Sequence, residues 1–233
     1  MKTKILFWSL FNRWLPNQAK YERAGVVHPA LTPRWINHRF KVWKATAYKS
    51  IMAQDMECSY AVGCRMAAKA ITEPLFKSVG IPALHSNQET KDWLEDVLAG
   101  YDQVVVVRLD SDDMYDKVIA REVHGKADRA DYFYWRVGYG ISLQGLRVYK
   151  YDTIGVGPFF AHKYSVKDLL ERGTMVESHH HLIHNKMPLR MTDGRFVVTV
   201  HGSNLSTRVN PKRFIYEIVG PKRGTVLRNF GLI

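Results

Sequence analysis

The sequence predicts an α/β fold, a central and mostly parallel sheet flanked by helices, followed by a second half of mixed α+β character. Val104–Val105–Val106–Val107 is an unbroken valine run. As a strand it buries both faces, which places it in the middle of a parallel sheet. Upstream of it, short β-rich runs alternate with amphipathic ones in the order β-α-β-α-β-α-β. With 233 residues, 46% of them hydrophobic, the chain has ample apolar mass for a core.

Ile5–Leu10 reads as the first strand. The opening Met1–Phe11 superficially resembles a signal peptide, but its apolar core is short and Asn12–Arg13 follows in place of a small-residue cleavage site. A loop with Pro16, Gly25 and Pro29 leads to Pro33, which suits a first helical turn. Ile36, Phe40, Trp43, Ala47 and Ile51 then recur at helical steps, with Arg34, His38, Arg39, Lys41, Lys44 and Lys49 assigned to the wet face. Tyr60–Gly63 is a second strand, Met66–Val79 a helix, Ile81–Leu84 a third strand and Glu89–Leu98 a third helix, ended by Gly100. Asp116–Val123 reads as a short helix. In the second half Tyr132–Val137 and Leu146–Tyr151 read as an antiparallel hairpin. Val156–Ala161, with Pro158, reads as an edge or loop, and Ser165–Arg172 as a capped helix stopped by Gly173. Val176–Asn185 is a helical candidate and Arg195–Val200 a strand, while the basic tail from Asn210 shows no pattern. No linker divides the chain, so 1–233 reads as a single domain.

Cys58 and Cys64 flank a strand-like run whose extended length is about 20 Å. That exceeds the roughly 4.4–6.8 Å between Cα atoms that a disulfide needs. Two unpaired thiols fit a reducing, cytoplasmic setting. The formal net charge of +12 favours an anionic partner: nucleic acid, an acidic membrane face met peripherally, or a phosphate-bearing substrate. A basic surface that serves only solubility is the plainer account. No apolar run reaches the length of a membrane span.

The valine strand runs into Arg108–Leu109–Asp110–Ser111–Asp112–Asp113. Carboxylates this close repel unless a cation lies between them. Hard divalent ions take carboxylate oxygens together with substrate phosphates, and ligands of open α/β sheets sit beyond the carboxyl ends of strands. A metal–phosphate site is therefore the leading expectation; a solvated acidic turn that caps the next helix is the alternative.

Asp-x-Asp-Asp at such a strand end resembles the DxD motif of GT-A glycosyltransferases. Trp35–Ile36–Asn37–His38–Arg39–Phe40, Ser50–Ile51–Met52–Ala53–Gln54, Gly157–Pro158–Phe159–Phe160 and Val200–His201–Gly202–Ser203–Asn204 resemble, in order, a family of bacterial and phage proteins assigned as rhamnosyltransferases. The resemblance implies a GT-A, Rossmann-like fold and metal-dependent transfer of a sugar from a nucleotide-sugar donor to an acceptor hydroxyl, with Mn²⁺ or Mg²⁺. Residues 1–115 would then form the nucleotide-sugar half and 116–233 the acceptor and metal-completing half. Asp112 is the expected direct metal ligand, with Asp110 reaching the ion or the ribose. Asp113 is expected to position the site or cap the next helix. Arg108 pairs either with a phosphate or with these carboxylates, and His201 completes the metal shell. For the general base, Glu177 comes first and His180 second. Cys64–Arg65 departs from the family, which often has a carboxylate there for the nucleotide base, so the rhamnosyl donor does not carry over.

The charge makes an anionic acceptor polymer the expected partner, such as DNA with a hydroxylated base or a cell-envelope glycan rich in phosphate. The alternative function is a metal-dependent nucleic-acid enzyme, a nuclease or nucleotidyltransferase. A binding protein without turnover is the third.

Overall fold

The computed structural model describes residues 1–12, 17–153, 159–175, 188–200 and 213–233. Strands β1 (Thr3–Leu10), β2 (Ser59–Gly63), β3 (Ala83–Leu84) and β4 (Gln103–Asp110) come first. They are followed by β5 (Met114–Tyr115), β6 (Tyr132–Tyr134), β7 (Val137–Ser142), β8 (Arg147–Asp152), β9 (Phe160–Ser165), β10 (Leu189–Arg190), β11 (Phe196–Val200) and β12 (Phe214–Ile218). Seven of these form the central sheet, in the order β10-β6-β9-β4-β1-β2-β3. Neighbours among β3, β2, β1 and β4 are parallel, as are β6 and β10, while β9 runs antiparallel to both β4 and β6. This is the mostly parallel α/β sheet expected.

The valine run behaves as its composition demands. Val105 and Val107 pack in one core cluster with Ile36, Phe40 and Trp43 of helix α2 (Pro33–Trp43), which follows the short helix α1 (Gln18–Arg23). On the other face Val104 and Val106 meet Leu94 and Leu169. These two leucines belong to helices Asn87–Val97 and Val166–Arg172. Helix α2 starts where expected, because the Thr32 side chain accepts the Trp35 N–H and Pro33 fills the first turn. It continues through a π turn, Lys44–Tyr48, into Lys49–Met52.

The second sheet, β12-β8-β7-β11-β5, lies on the first cluster through Tyr115, Tyr151, Phe196, Val198 and Phe214. It corrects three expectations. The predicted arm Tyr132–Val137 is two strands in two sheets: β6 joins the central sheet, and only β7 pairs with β8 as a hairpin. The chain crosses between sheets at fully buried Trp135, whose backbone N–H donates to the Phe159 carbonyl at 3.0 Å. Alternation identifies a strand but not its neighbour. Second, of the run Val156–Ala161 read as an edge or loop, residues 156–158 lie outside the described residues, and its end, Phe160–Ala161, opens β9, an interior strand whose backbone is paired on both sides. Third, the tail, which shows no pattern in the sequence, forms β12 followed by helix Gly220–Asn229, with Pro at its start. The two cysteines do not pair with each other, as expected, and burial pushes the Cys58 thiol up to about 11. Among the described residues no helix is long and apolar enough to cross a membrane.

Candidate functional site

The order β3-β2-β1-β4 reverses direction between β1 and β4, and a parallel sheet opens a ligand crevice at such a switch point. Register pairs Leu10, the last residue of β1, with Asp110, the last of β4. The acid turn therefore stands at the mouth of that crevice. A separate cavity of about 640 Å³, lined by Gln103, Tyr132, His162, Tyr164 and Arg172 among others, lies at the opposite, amino end of β4. Ligand crevices of parallel strands form at the carboxyl end, so the acid turn is the candidate site.

The three aspartates have different surroundings. Asp110 is the open one, its side chain 33% exposed, and it accepts a hydrogen bond from Arg108 Nη2 at 2.8 Å. The guanidinium of Arg108 also lies over the Phe160 ring, 5.8 Å from its centroid. Asp112 is buried and receives both prongs of Arg39, each at 2.7 Å, while Arg39 Nε donates to Ser111 Oγ at 3.0 Å. Asp113 is buried and accepts the backbone N–H of Thr199 at 3.0 Å. Burial, reinforced by the charges of Asp112 and Asp110, holds the Asp113 carboxyl well above the ordinary carboxylate range.

These partners correct the alternative of a solvated, helix-capping turn: Ser111, Asp112 and Asp113 are all buried. Asp113 does not cap the following helix, Ile119–His124, but is drawn to β11. Gln54 takes the capping role, its Oε1 accepting the Ala120 N–H at 2.9 Å. Arg108 does lie against a carboxylate. Glu177, His180 and His201 fall outside the described residues, as does the candidate helix Val176–Asn185.

Sequence reasoning missed two residues that build the turn. Arg39 was assigned to the wet face, yet its spacing from Ile36 (i+3) and Trp43 (i−4) puts it on the buried stripe of α2. That spacing was the available signal. Thr199, on β11, donates its hydroxyl to the Asp112 carbonyl as well as its N–H to Asp113. Nothing local marks it, because the contact joins residues 87 positions apart. The same helical run supplies Ser50, whose hydroxyl accepts the Tyr115 N–H at 3.4 Å, and Gln54, whose Nε2 donates to the Asp116 carbonyl at 3.1 Å. Residues 35–40 and 50–54 thus hold the acid turn, through Arg39, and the two residues Tyr115 and Asp116 beyond it, through Ser50 and Gln54.

No family model matches the chain, and no curated protein matches it in sequence. Among solved structures it is similar to a protein from Desulfovibrio desulfuricans described as a nucleotide-diphospho-sugar transferase, at 12% identity over 85% of this chain and 84% of that one, with a TM-score of 0.39. Another is S. aureus TarS in complex with UDP-GlcNAc, at 12% identity over 100% of this chain and 66% of that one, with a TM-score of 0.46. A third is a cytidylyltransferase from Leptospira borgpetersenii, at 13% identity over 84% and 77%, with a TM-score of 0.40. The chain spans about two thirds of the TarS chain it matches, and none of the three is named for rhamnose. The α/β assignment stands on the strand order itself.

Proposed function

We propose that the chain transfers a sugar from a nucleotide-sugar donor to an acceptor hydroxyl in the crevice between β1 and β4. One observation carries this reading: Asp110, with Arg108 beside it, ends the central strand where the strand order reverses. In the reaction the acceptor oxygen bonds to the anomeric carbon while the bond to the diphosphate breaks. Negative charge then gathers on the leaving diphosphate, and a nearby cationic group lowers the barrier. The Arg108 guanidinium, 2.8 Å from Asp110 at that strand end, is such a group. Glu177 is the proposed base for the acceptor proton, and His180 the second candidate. Residues 1–115 serve the donor and 116–233 the acceptor.

A divalent ion, Mn²⁺ or Mg²⁺, would add positive charge against the same diphosphate. Among the described residues no group of three His, Cys, Asp or Glu could hold an ion. An ion that shares its shell with substrate phosphates needs only one or two carboxylates, however. Asp110, open on one side, fits that part; Asp112 fits less well, with both oxygens on Arg39. His201 remains the proposed late ligand, supported by Thr199, two residues earlier, being bonded to the acid turn.

The acceptor is proposed to be an anionic polymer, such as DNA with a hydroxylated base or a phosphate-rich envelope glycan, on the strength of the +12 charge. Incubation with sugar nucleotides and Mn²⁺ tests the reaction: release of a nucleoside diphosphate is expected. Release of pyrophosphate would instead identify nucleotidyl transfer. Cleavage of DNA without any donor would identify a nuclease.

A further inference from the structure

The helical run Pro33–Met52 has two unlike faces. Ile36, Arg39, Phe40 and Trp43 are buried, while Arg34, Lys41, Lys44, Lys49 and Met52 are exposed. The exposed set runs the length of a rod of about 30 Å. Residues 33–54 contain no Asp or Glu. Among the described residues no carboxylate pairs with Arg34, Lys41, Lys44 or Lys49; the Lys49 ammonium donates instead to the Gly231 carbonyl. That bond brings the end of helix Gly220–Asn229, with its exposed Arg228, against the run. Apolar side chains lie among these cations. Met52 is 52% exposed and, with Lys44, Tyr48, Lys49 and Ala53, lines a surface hollow of about 360 Å³. Ile233, two residues past Gly231, is 63% exposed.

Cations with no acid between them repel one another, and an anionic surface relieves that repulsion. Each Lys or Arg beside an acidic bilayer strengthens binding about fivefold, so four act together as one strong contact. A phosphodiester chain needs cations alone, whereas a bilayer takes cations at its phosphates and apolar tips at the acyl boundary. Met52 and Ile233 answer only the second requirement. We infer that the outer face of Pro33–Met52 docks on an anionic phospholipid bilayer, its cations at the headgroups and Met52 at the acyl boundary. This face is turned away from Arg39, which holds Asp112: Lys41 and Lys44 lie about half a turn round the helix from it. Docking therefore leaves the acid turn uncovered, about one helix diameter or more from the headgroups. The inference goes beyond the transfer reaction and does not depend on it.

The test is co-sedimentation of the full chain with vesicles of phosphatidylcholine alone, and of phosphatidylcholine mixed two to one with phosphatidylglycerol. Binding is expected to the mixed vesicles only, and should weaken as salt rises. Lys41→Glu/Lys44→Glu should weaken it about 25-fold or more, and Met52→Gln about threefold or more, with melting temperatures near the parent's. No binding to the mixed vesicles, or equal binding by Lys41→Glu/Lys44→Glu, overturns the inference and leaves a basic face that serves solubility. Tighter binding to duplex DNA at equal phosphate, or vesicle binding unchanged in Met52→Gln, overturns the bilayer as the partner. Should the charge reversal fail to fold, Lys41→Gln/Lys44→Gln takes its place, and undiminished binding by that variant overturns the inference.

Discussion

Arg39 and Asp112 form a two-pronged ion pair, Nη1 to Oδ2 and Nη2 to Oδ1 at 2.7 Å each, with both side chains only 10% exposed. The pair ties α2 to the acid turn. Removing one partner leaves the other charge buried and uncompensated, which costs about 3–5 kcal/mol, more than the pair contributes over an apolar replacement. Arg39→Met is therefore expected to lose stability of that order in urea denaturation. The double variant Arg39→Met/Asp112→Leu should lose less than the sum of its singles.

Asp113 gives a pH signature. Its carboxyl is raised by burial first and by Asp112 and Asp110 next. A raised carboxyl favours the folded state while protonated. That contribution is complete below the unfolded pKa, about 3.9, and is lost as pH climbs through the raised folded value. Asp113→Asn mimics the protonated acid and keeps an oxygen for the Thr199 N–H. Its melting temperature relative to the parent should rise as pH climbs from 4 and level off once pH passes the raised folded value. A constant difference across that range would mean that Asp113 is ionised throughout.

Gly140 tests the packing of the second sheet. A Cβ added there would lie 2.1 Å from Phe214 Cε1, inside any tolerable contact. Gly140→Ala should destabilise by about 1–3 kcal/mol through overpacking, and Phe214→Leu in the same chain should recover part of the loss. Equilibrium denaturation of the parent and the two variants decides it.

Much of the central sheet was legible because its signals are local. Four valines define a buried strand, Ser86 and Ser165 cap their helices, and Gly173 takes the left-handed conformation after its helix. Strand partners were less legible. The Tyr132–Val137 run alternates like one strand, and only the burial of Trp135 between two sheets divides it. The tail carried readable signs that went unused, with Phe214 and Ile218 facing inward and Pro221 opening a helix. At the site, the three aspartates declared themselves by clustering. Which of them is open depends on Arg39 and Thr199, 73 and 87 positions from their contacts with Asp112, and no local pattern encodes those meetings.

Asp110 separates function from fold. Its carboxylate is 33% exposed and Asn keeps an oxygen for Arg108 Nη2, so the loss of stability on Asp110→Asn should be well below that on Arg39→Met. Turnover of a sugar nucleotide should fall by about 100-fold or more. A matched measurement of unliganded stability and initial rate shows whether the two effects part.

The most direct measurement is thermal stabilisation by UDP-, GDP-, dTDP- and CDP-sugars in the presence of Mn²⁺, for the parent chain and Asp110→Asn side by side. A ligand at about 100 times its Kd stabilises the folded state by about 2.7 kcal/mol. At least one sugar nucleotide should produce such a shift in the parent chain, and Asp110→Asn should abolish it while melting normally when unliganded. No shift with any donor, or an equal shift in Asp110→Asn, would contradict a donor site at the end of β4.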